Sequence, residues 1–174
     1  MAVTAATNQI RCKRIIREAE GYLELGLPQH ALDALDRMTD PGTFKGARLW
    51  LMGEALRSQE RFAEAAEVLE QAIELSPSKI EVYLGLGWCY KRTNRLSEAI
   101  RALERARDAD PDQAIVHYNL ACYHSLASHK HDAIECLSRA LILEPNYRDM
   151  ISAESDFDPI RNDPDFQALT SIIV

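Results

Sequence analysis

Glycine and proline are scarce in this chain, seven of each among 174 residues, and no stretch alternates apolar with polar residues over strand length. A turn-rich all-β fold is therefore excluded. No run approaches the roughly 18 apolar residues that a membrane span needs. Cysteine is confined to Cys12, Cys89, Cys122 and Cys136, far apart and without a C-x-x-C pair. That distribution suits buried free thiols in a reducing compartment, not a disulfide framework. Clustered basic charge is missing as well: the formal net charge is -7, with lysine and arginine scattered. Nucleic-acid phosphates, which need a basic stripe, are not the expected partner. The first eight residues, MAVTAATN, hold no lysine or arginine and lead into no apolar h-region, so no secretory signal is expected. A cytoplasmic protein is the expectation.

Catalytic signatures are also missing. There is no G-x-S-x-G, no phosphate-binding P-loop and no H-E-x-x-H. The one glycine pair, Gly85-Leu86-Gly87, would need a third glycine at Tyr90 and a preceding strand to hold a dinucleotide. No catalytic residue and no cofactor are expected.

What is present favours helix. Alanine, leucine, glutamate and arginine dominate, all strong helix formers. A step of 34 residues runs through the chain. It links Ala31, Ala65, Ala99 and Ala133, then Leu35, Leu69, Leu103 and Leu137. A third ladder, Ala19, Gly53, Gly87 and Ala121, holds only the two smallest residues, as expected where two helices approach closely. A fourth, Tyr22, Leu56, Tyr90 and His124, places a larger side chain one turn on. Pro77, Pro111 and Pro145 share the step, each closing a helical stretch. Tyr83, Leu86, Gly87 and Tyr90 fall on one helix face, and after a turn at RTNR so do Ala99, Leu103 and Ala106. Each unit is thus a helix-turn-helix. Ser78 and Glu81 form a capping-box pattern, with Asp112, Asn146 and Asp163 as further N-cap candidates.

The pattern of Tyr83, Leu86, Gly87, Tyr90, Ala99, Leu103, Ala106 and Pro111 resembles the tetratricopeptide repeat family, as does that of Leu49, Met52, Gly53, Leu56, Ala65, Leu69, Ala72 and Pro77. The resemblance implies an all-α, right-handed α-solenoid of stacked antiparallel helix pairs. A single domain over 1–174 is expected: a degenerate N-terminal repeat at 9–43, repeats at 46–79, 80–113 and 114–146, and a C-terminal cap at 147–174. In the cap, Met150, Ile151, Phe157, Ile160, Phe166 and Leu169 should face inward.

The family resemblance further implies a non-enzymatic interaction module or scaffold, binding a peptide or protein segment in a concave groove lined by the first helix of each repeat. The groove-facing column is Ile16, Trp50, Leu84 and Tyr118, followed one turn on by Glu20, Glu54, Trp88 and Cys122, with Lys91 at the edge. Aromatic anchors in such a place make binding hot spots. The alternative is that these rings fill gaps between neighbouring units. With Glu20 and Glu54 at one end, an apolar segment carrying a lysine or arginine is the expected ligand. A monomer or weak homo-oligomer is expected, with two other readings open. A second copy, or the protein's own tail, could fill the groove, or His117, His124, His129 and His131, with Cys122 between them, could hold a metal in a sensor or enzyme component. His117 and His124 occupy packing columns, however, while His129 and His131 sit in a turn, so no metal ligand is assigned.

Overall fold

The computed structural model describes the backbone of residues 2–171 and the side chains of residues 6–171. Every regular element among them is helical: α1 (Ala2–Glu24), α2 (Pro28–Asp36), α3 (Lys45–Ser58), α4 (Phe62–Leu75), α5 (Ile80–Arg92), α6 (Leu96–Ala109), α7 (Ala114–Leu126), α8 (Lys130–Leu143), α9 (Arg148–Ile151) and α10 (Pro164–Ser171). The fold class is that read from the repeats, an all-α stack of helix pairs of the solenoid kind. The chain divides into two compact units, 1–93 and 94–174, at the turn inside the third repeat. In the first, α1 packs on α2, α3 on α4 and α4 on α5, while α1 lies along α3 and α3 along α5. In the second, α7 packs on α6 and α8, and also meets the 3-10 segment Ser155–Ile160.

The ladders are the core. Ala31, Ala65, Ala99 and Ala133 are fully buried, as are Leu35, Leu69, Leu103 and Leu137. Each buried leucine contributes about 1.5–3 kcal/mol by leaving water. The small-residue ladder is buried throughout, and Gly53 shows why. A Cβ there would lie 2.5 Å from Leu69 Cδ2 and 2.6 Å from Leu69 Cγ. At this position Leu69 of the paired helix fills the space that the missing side chain leaves. What approaches Gly53 is a side chain of the paired helix and not its backbone.

A further ladder was not legible in residue types. Gly26, Glu60, Asn94 and Ser128 are spaced by 34 and all have positive φ, between 59° and 70°. Each follows a first helix. In three of them the next residue's N–H donates to the carbonyl five back, Leu27 to Tyr22, Arg61 to Leu56 and His129 to His124, at 2.8 to 3.0 Å. This closure ends the helix and satisfies its last carbonyls. Glycine adopts the left-handed conformation freely, which is why Gly26 suits its place and Glu60 carries a cost.

Capping differs in place from the sequence expectation. Lys79, not Ser78, is the N-cap residue of α5, and no side chain caps it. Before α7 and after α8 the acceptor is the acid preceding the proline, not the residue following it. Asp110 Oδ1 accepts from the Asp112 N–H at 3.2 Å, and Glu144 Oε1 from the Asn146 N–H at 3.2 Å. Proline itself has no N–H, so the carboxylate reaches the next one along. Asp163 caps as expected, with Oδ1 accepting from the Asp165 and Phe166 N–H groups at 3.0 and 3.4 Å.

In the C-terminal segment Ile151, Phe157, Ile160 and Phe166 are buried, as their pattern implied. Met150 is instead 48% exposed and Leu169 half-buried. Helix α9 is only four residues long, too short to turn both Met150 and Ile151 inward. Residues 172–174 of the expected cap lie outside the described residues.

Candidate functional site

Seven of the groove residues read from the sequence belong to the first unit: Ile16 and Glu20 on α1, Trp50 and Glu54 on α3, and Leu84, Trp88 and Lys91 on α5. Ile16 is buried, and the other six are half-buried. Their placement follows from the register: each stands beside a packing column, on the shoulder of the helix and not its core face.

Trp88 is the centre of a cluster. Its ring meets that of Phe62, at the start of α4, edge-on with centroids 5.0 Å apart and planes at 81°. This is a favoured geometry for two quadrupoles. The Arg57 and Arg92 guanidinium carbons each lie 5.3 Å from the Trp88 ring centroid, and that of Arg92 lies 4.8 Å from Phe62. Cation–ring attraction of this kind contributes about 0.5–1 kcal/mol at exposed sites. Glu54 holds Arg57 in place through two hydrogen bonds, Nε to Oε1 at 3.2 Å and NH2 to Oε2 at 2.6 Å. The bonded carboxylate raises the Arg57 pKa against the opposing effect of burial. A Cβ on Gly85 would stand 3.0 Å from Glu54 Oε1, so this glycine makes room for the carboxylate. One residue of the Gly85-Leu86-Gly87 run thus serves the site, by admitting Glu54.

The charge of this surface differs from the sequence expectation. Glu54 is neutralised by Arg57, which the i, i+3 spacing allows, and Arg92 makes no ion pair among the described residues. Around Trp50 the sign is also positive: Lys79 Nζ lies 3.3 Å from its ring centroid. The Trp50 indole N–H is buried and donates to no described acceptor. Cations beside rings characterise the α3 and α5 part of the face, while Glu20 on α1 makes no ion pair among the described residues.

Tyr118 and Cys122 stand on α7 in the second unit and are buried, at 3% and 2% exposure. The Tyr118 ring packs on Tyr147, with centroids 5.1 Å apart, and edge-on to Phe157 at 5.7 Å. Burial pushes its phenol pKa up. Tyr118 is covered by the C-terminal segment. Tyr147 and Phe157, which make this cover, lie outside the 34-residue step.

The histidines separate by role. His117 Nε2 lies 2.8 Å from the Pro111 carbonyl, and 34 residues earlier the Tyr83 hydroxyl donates to the Pro77 carbonyl at 3.1 Å. Histidine there does the work of tyrosine. His124 is buried, yet its Nδ1 comes within 3.4 Å of His129 Nδ1. Desolvation lowers the His124 pKa, with Asp132 opposing. Both His124 and His117 line a cavity of about 380 Å³. None of the four cysteines is in a disulfide and all four are buried, as expected, and burial lifts the Cys89 and Cys136 thiols to about 11.

Comparison with known proteins places this geometry. Residues 56–121 match the family model described as Tetratricopeptide repeat. No curated protein matches the sequence. Solved structures match at low identity. Residues from 41 to the end of MamA from Desulfovibrio magneticus RS-1 superpose with a TM-score of 0.75 at 20% identity, covering 92% of this chain and 90% of that one. A further MamA crystal structure gives 0.72 at 20% identity, with 85% of each chain covered. YrrB, described as a tetratricopeptide repeat protein with an unusual peptide-binding site, gives 0.69 at 22% identity, covering 78% of this chain and 70% of its own. Residues 56–121 are tetratricopeptide-repeat sequence, and the chain around them has the fold of solved tetratricopeptide-repeat proteins.

Proposed function

We propose that this protein is a non-enzymatic interaction module that holds a peptide or protein segment against the α1, α3 and α5 faces of its first unit, with Trp88 as the anchor. The observation that carries this reading is the edge-on Trp88–Phe62 pair with two guanidinium groups against the Trp88 ring. A half-buried tryptophan fixed by packed neighbours offers apolar area at little entropic cost, which is how hot-spot residues act. The preferred segment is apolar and carries aspartate or glutamate. A carboxylate arriving beside Trp88 meets Arg92, whose donors are held in place by stacking and are not already engaged by an acid. A lysine or arginine would meet like charge instead. Tyr118 and Cys122 are left out of the site because the protein's own tail covers Tyr118 and both are buried. The peptide-binding description attached to YrrB, a protein of similar fold, is consistent with this reading.

Random peptides displayed on phage and selected on the full chain test it. Selection should enrich sequences with two or more large apolar residues and at least one aspartate or glutamate, and Arg92→Gln should lose them. Enrichment of lysine- or arginine-bearing peptides, or none at all, overturns the proposal.

A further inference from the structure

The turn between α7 and α8 brings together three groups from 9 residues of chain. His124 Nδ1 and His129 Nδ1 stand 3.4 Å apart. A ligand oxygen of Asp132 completes a set in which all three ligand atoms lie within 4.8 Å of one another. The backbone explains the convergence. Ser128, at φ 61°, reverses the chain, and the His129 N–H closes onto the His124 carbonyl at 2.9 Å. His129 then becomes the N-cap residue of α8 without using its side chain as a cap, and Asp132 lies one turn further on. His124 comes from the last turn of α7 and the other two from the start of α8.

The separation of the two nitrogens discriminates between uses. It exceeds the 2.7–3.2 Å of ordinary N–H hydrogen bonds. Two imidazole nitrogens on a tetrahedral ion at about 2.0–2.1 Å are roughly 3.3–3.4 Å apart. Neutral imidazoles and a carboxylate are also the donor set that borderline divalent ions prefer. Beside them, a cavity that His124 and Asp132 help to line, with Glu104 and Glu135 balancing Arg107 and Arg139 on its wall, has room for a water as fourth ligand. We propose that His124, His129 and Asp132 form a binding site for a zinc-class divalent cation that clips the end of α7 to the start of α8. This site is independent of the peptide surface on the first unit. Its spacing, H-x4-H-x2-D, matches no familiar motif because the ligands converge through a left-handed turn and not along one helix face.

The test is calorimetric titration of zinc chloride into the full, tag-free chain after chelator treatment, with cobalt(II) absorption as a report on geometry. One equivalent of zinc should bind, and excess zinc, a hundredfold above Kd, should raise the melting temperature by about 5 °C or more. Cobalt should give the intense visible bands of a tetrahedral site. His129→Gln and Asp132→Asn, both at exposed positions, should each weaken zinc at least tenfold while leaving the metal-free melting temperature unchanged. His131→Gln, exposed and outside the set, should bind as the parent does. Absence of stoichiometric zinc binding by the parent, or parent-like affinity in the His129→Gln, Asp132→Asn double variant, overturns the proposal.

Discussion

Gly53→Ala adds a single methyl group, and two effects of opposite sign decide its outcome. Alanine in a helix interior is favoured over glycine by about 0.8–1.0 kcal/mol. Against this, the new Cβ would sit 2.5 Å from Leu69 Cδ2 and 2.6 Å from Leu69 Cγ. Leu69 is wholly buried, so it can yield only by displacing its neighbours, and overpacking of that kind costs about 1–3 kcal/mol. The net expectation is a loss of up to about 2 kcal/mol. Gly21 supplies the control in the same unit: it lies inside α1 and a Cβ there meets nothing within 4 Å. Gly21→Ala should therefore gain up to about 1 kcal/mol. The difference between the two variants isolates the steric contribution, and urea unfolding followed by circular dichroism measures it. If Gly53→Ala is stabilised as much as Gly21→Ala, the interlock of Gly53 with Leu69 does not exist.

The remaining expectations concern the turns, the tail and one histidine. Glu60→Gly relieves a left-handed φ of 59° and should add up to about 1 kcal/mol net, because glycine's extra freedom when unfolded offsets part of the relief; an unchanged or lower urea midpoint would count against strain there. Truncation after Tyr147 removes Phe157 from its place against Tyr118, together with buried Ile151, Ile160 and Phe166, so light scattering should show association at micromolar concentration, and a monodisperse product with the parent's melting temperature would refute the capping role. The His124 pKa is lowered in the folded state, so between its ordinary value of about 6.5 and the lower folded value the unfolded chain binds more protons and stability falls with falling pH. His124→Leu, which restores the residue type of Leu56 in the same column, should flatten that part of the pH profile; an identical slope in parent and variant would assign the effect elsewhere.

The fold was legible because packing repeats with the chain. A 34-residue step in residue size states which side chains must meet, and the leucine, alanine and glycine ladders are all buried. The left-handed turn ladder was not legible, since Gly26, Glu60, Asn94 and Ser128 share a φ and little else. At Asp112 and Asn146 the acceptor lies two residues earlier than expected, because proline lacks the N–H that the preceding carboxylate would otherwise take. The candidate site was half legible: its positions came from the repeat, but its charge did not. Counting Glu20 and Glu54 as free acids ignored Arg57, three residues beyond Glu54, whose guanidinium neutralises that carboxylate. Phe62 starts a second helix and so lies outside the first-helix columns that outline the groove in the sequence. Tyr118 was misjudged because the residues covering it lie outside the periodic part of the chain.

The central claim is that Trp88 and Arg92 bind an acidic, apolar segment, and isothermal titration of one selected peptide into the parent, Trp88→Ala and Arg92→Gln tests it most directly. Arg92 is exposed and makes no ion pair among the described residues, so Arg92→Gln should weaken the peptide about tenfold or more with an unchanged urea midpoint. Trp88→Ala should weaken it about thirtyfold, the usual consequence of losing a hot-spot anchor of about 2 kcal/mol. Parent-like affinity in both variants, or a loss for Trp88→Ala alone that follows a fall in its own stability, would contradict the assignment.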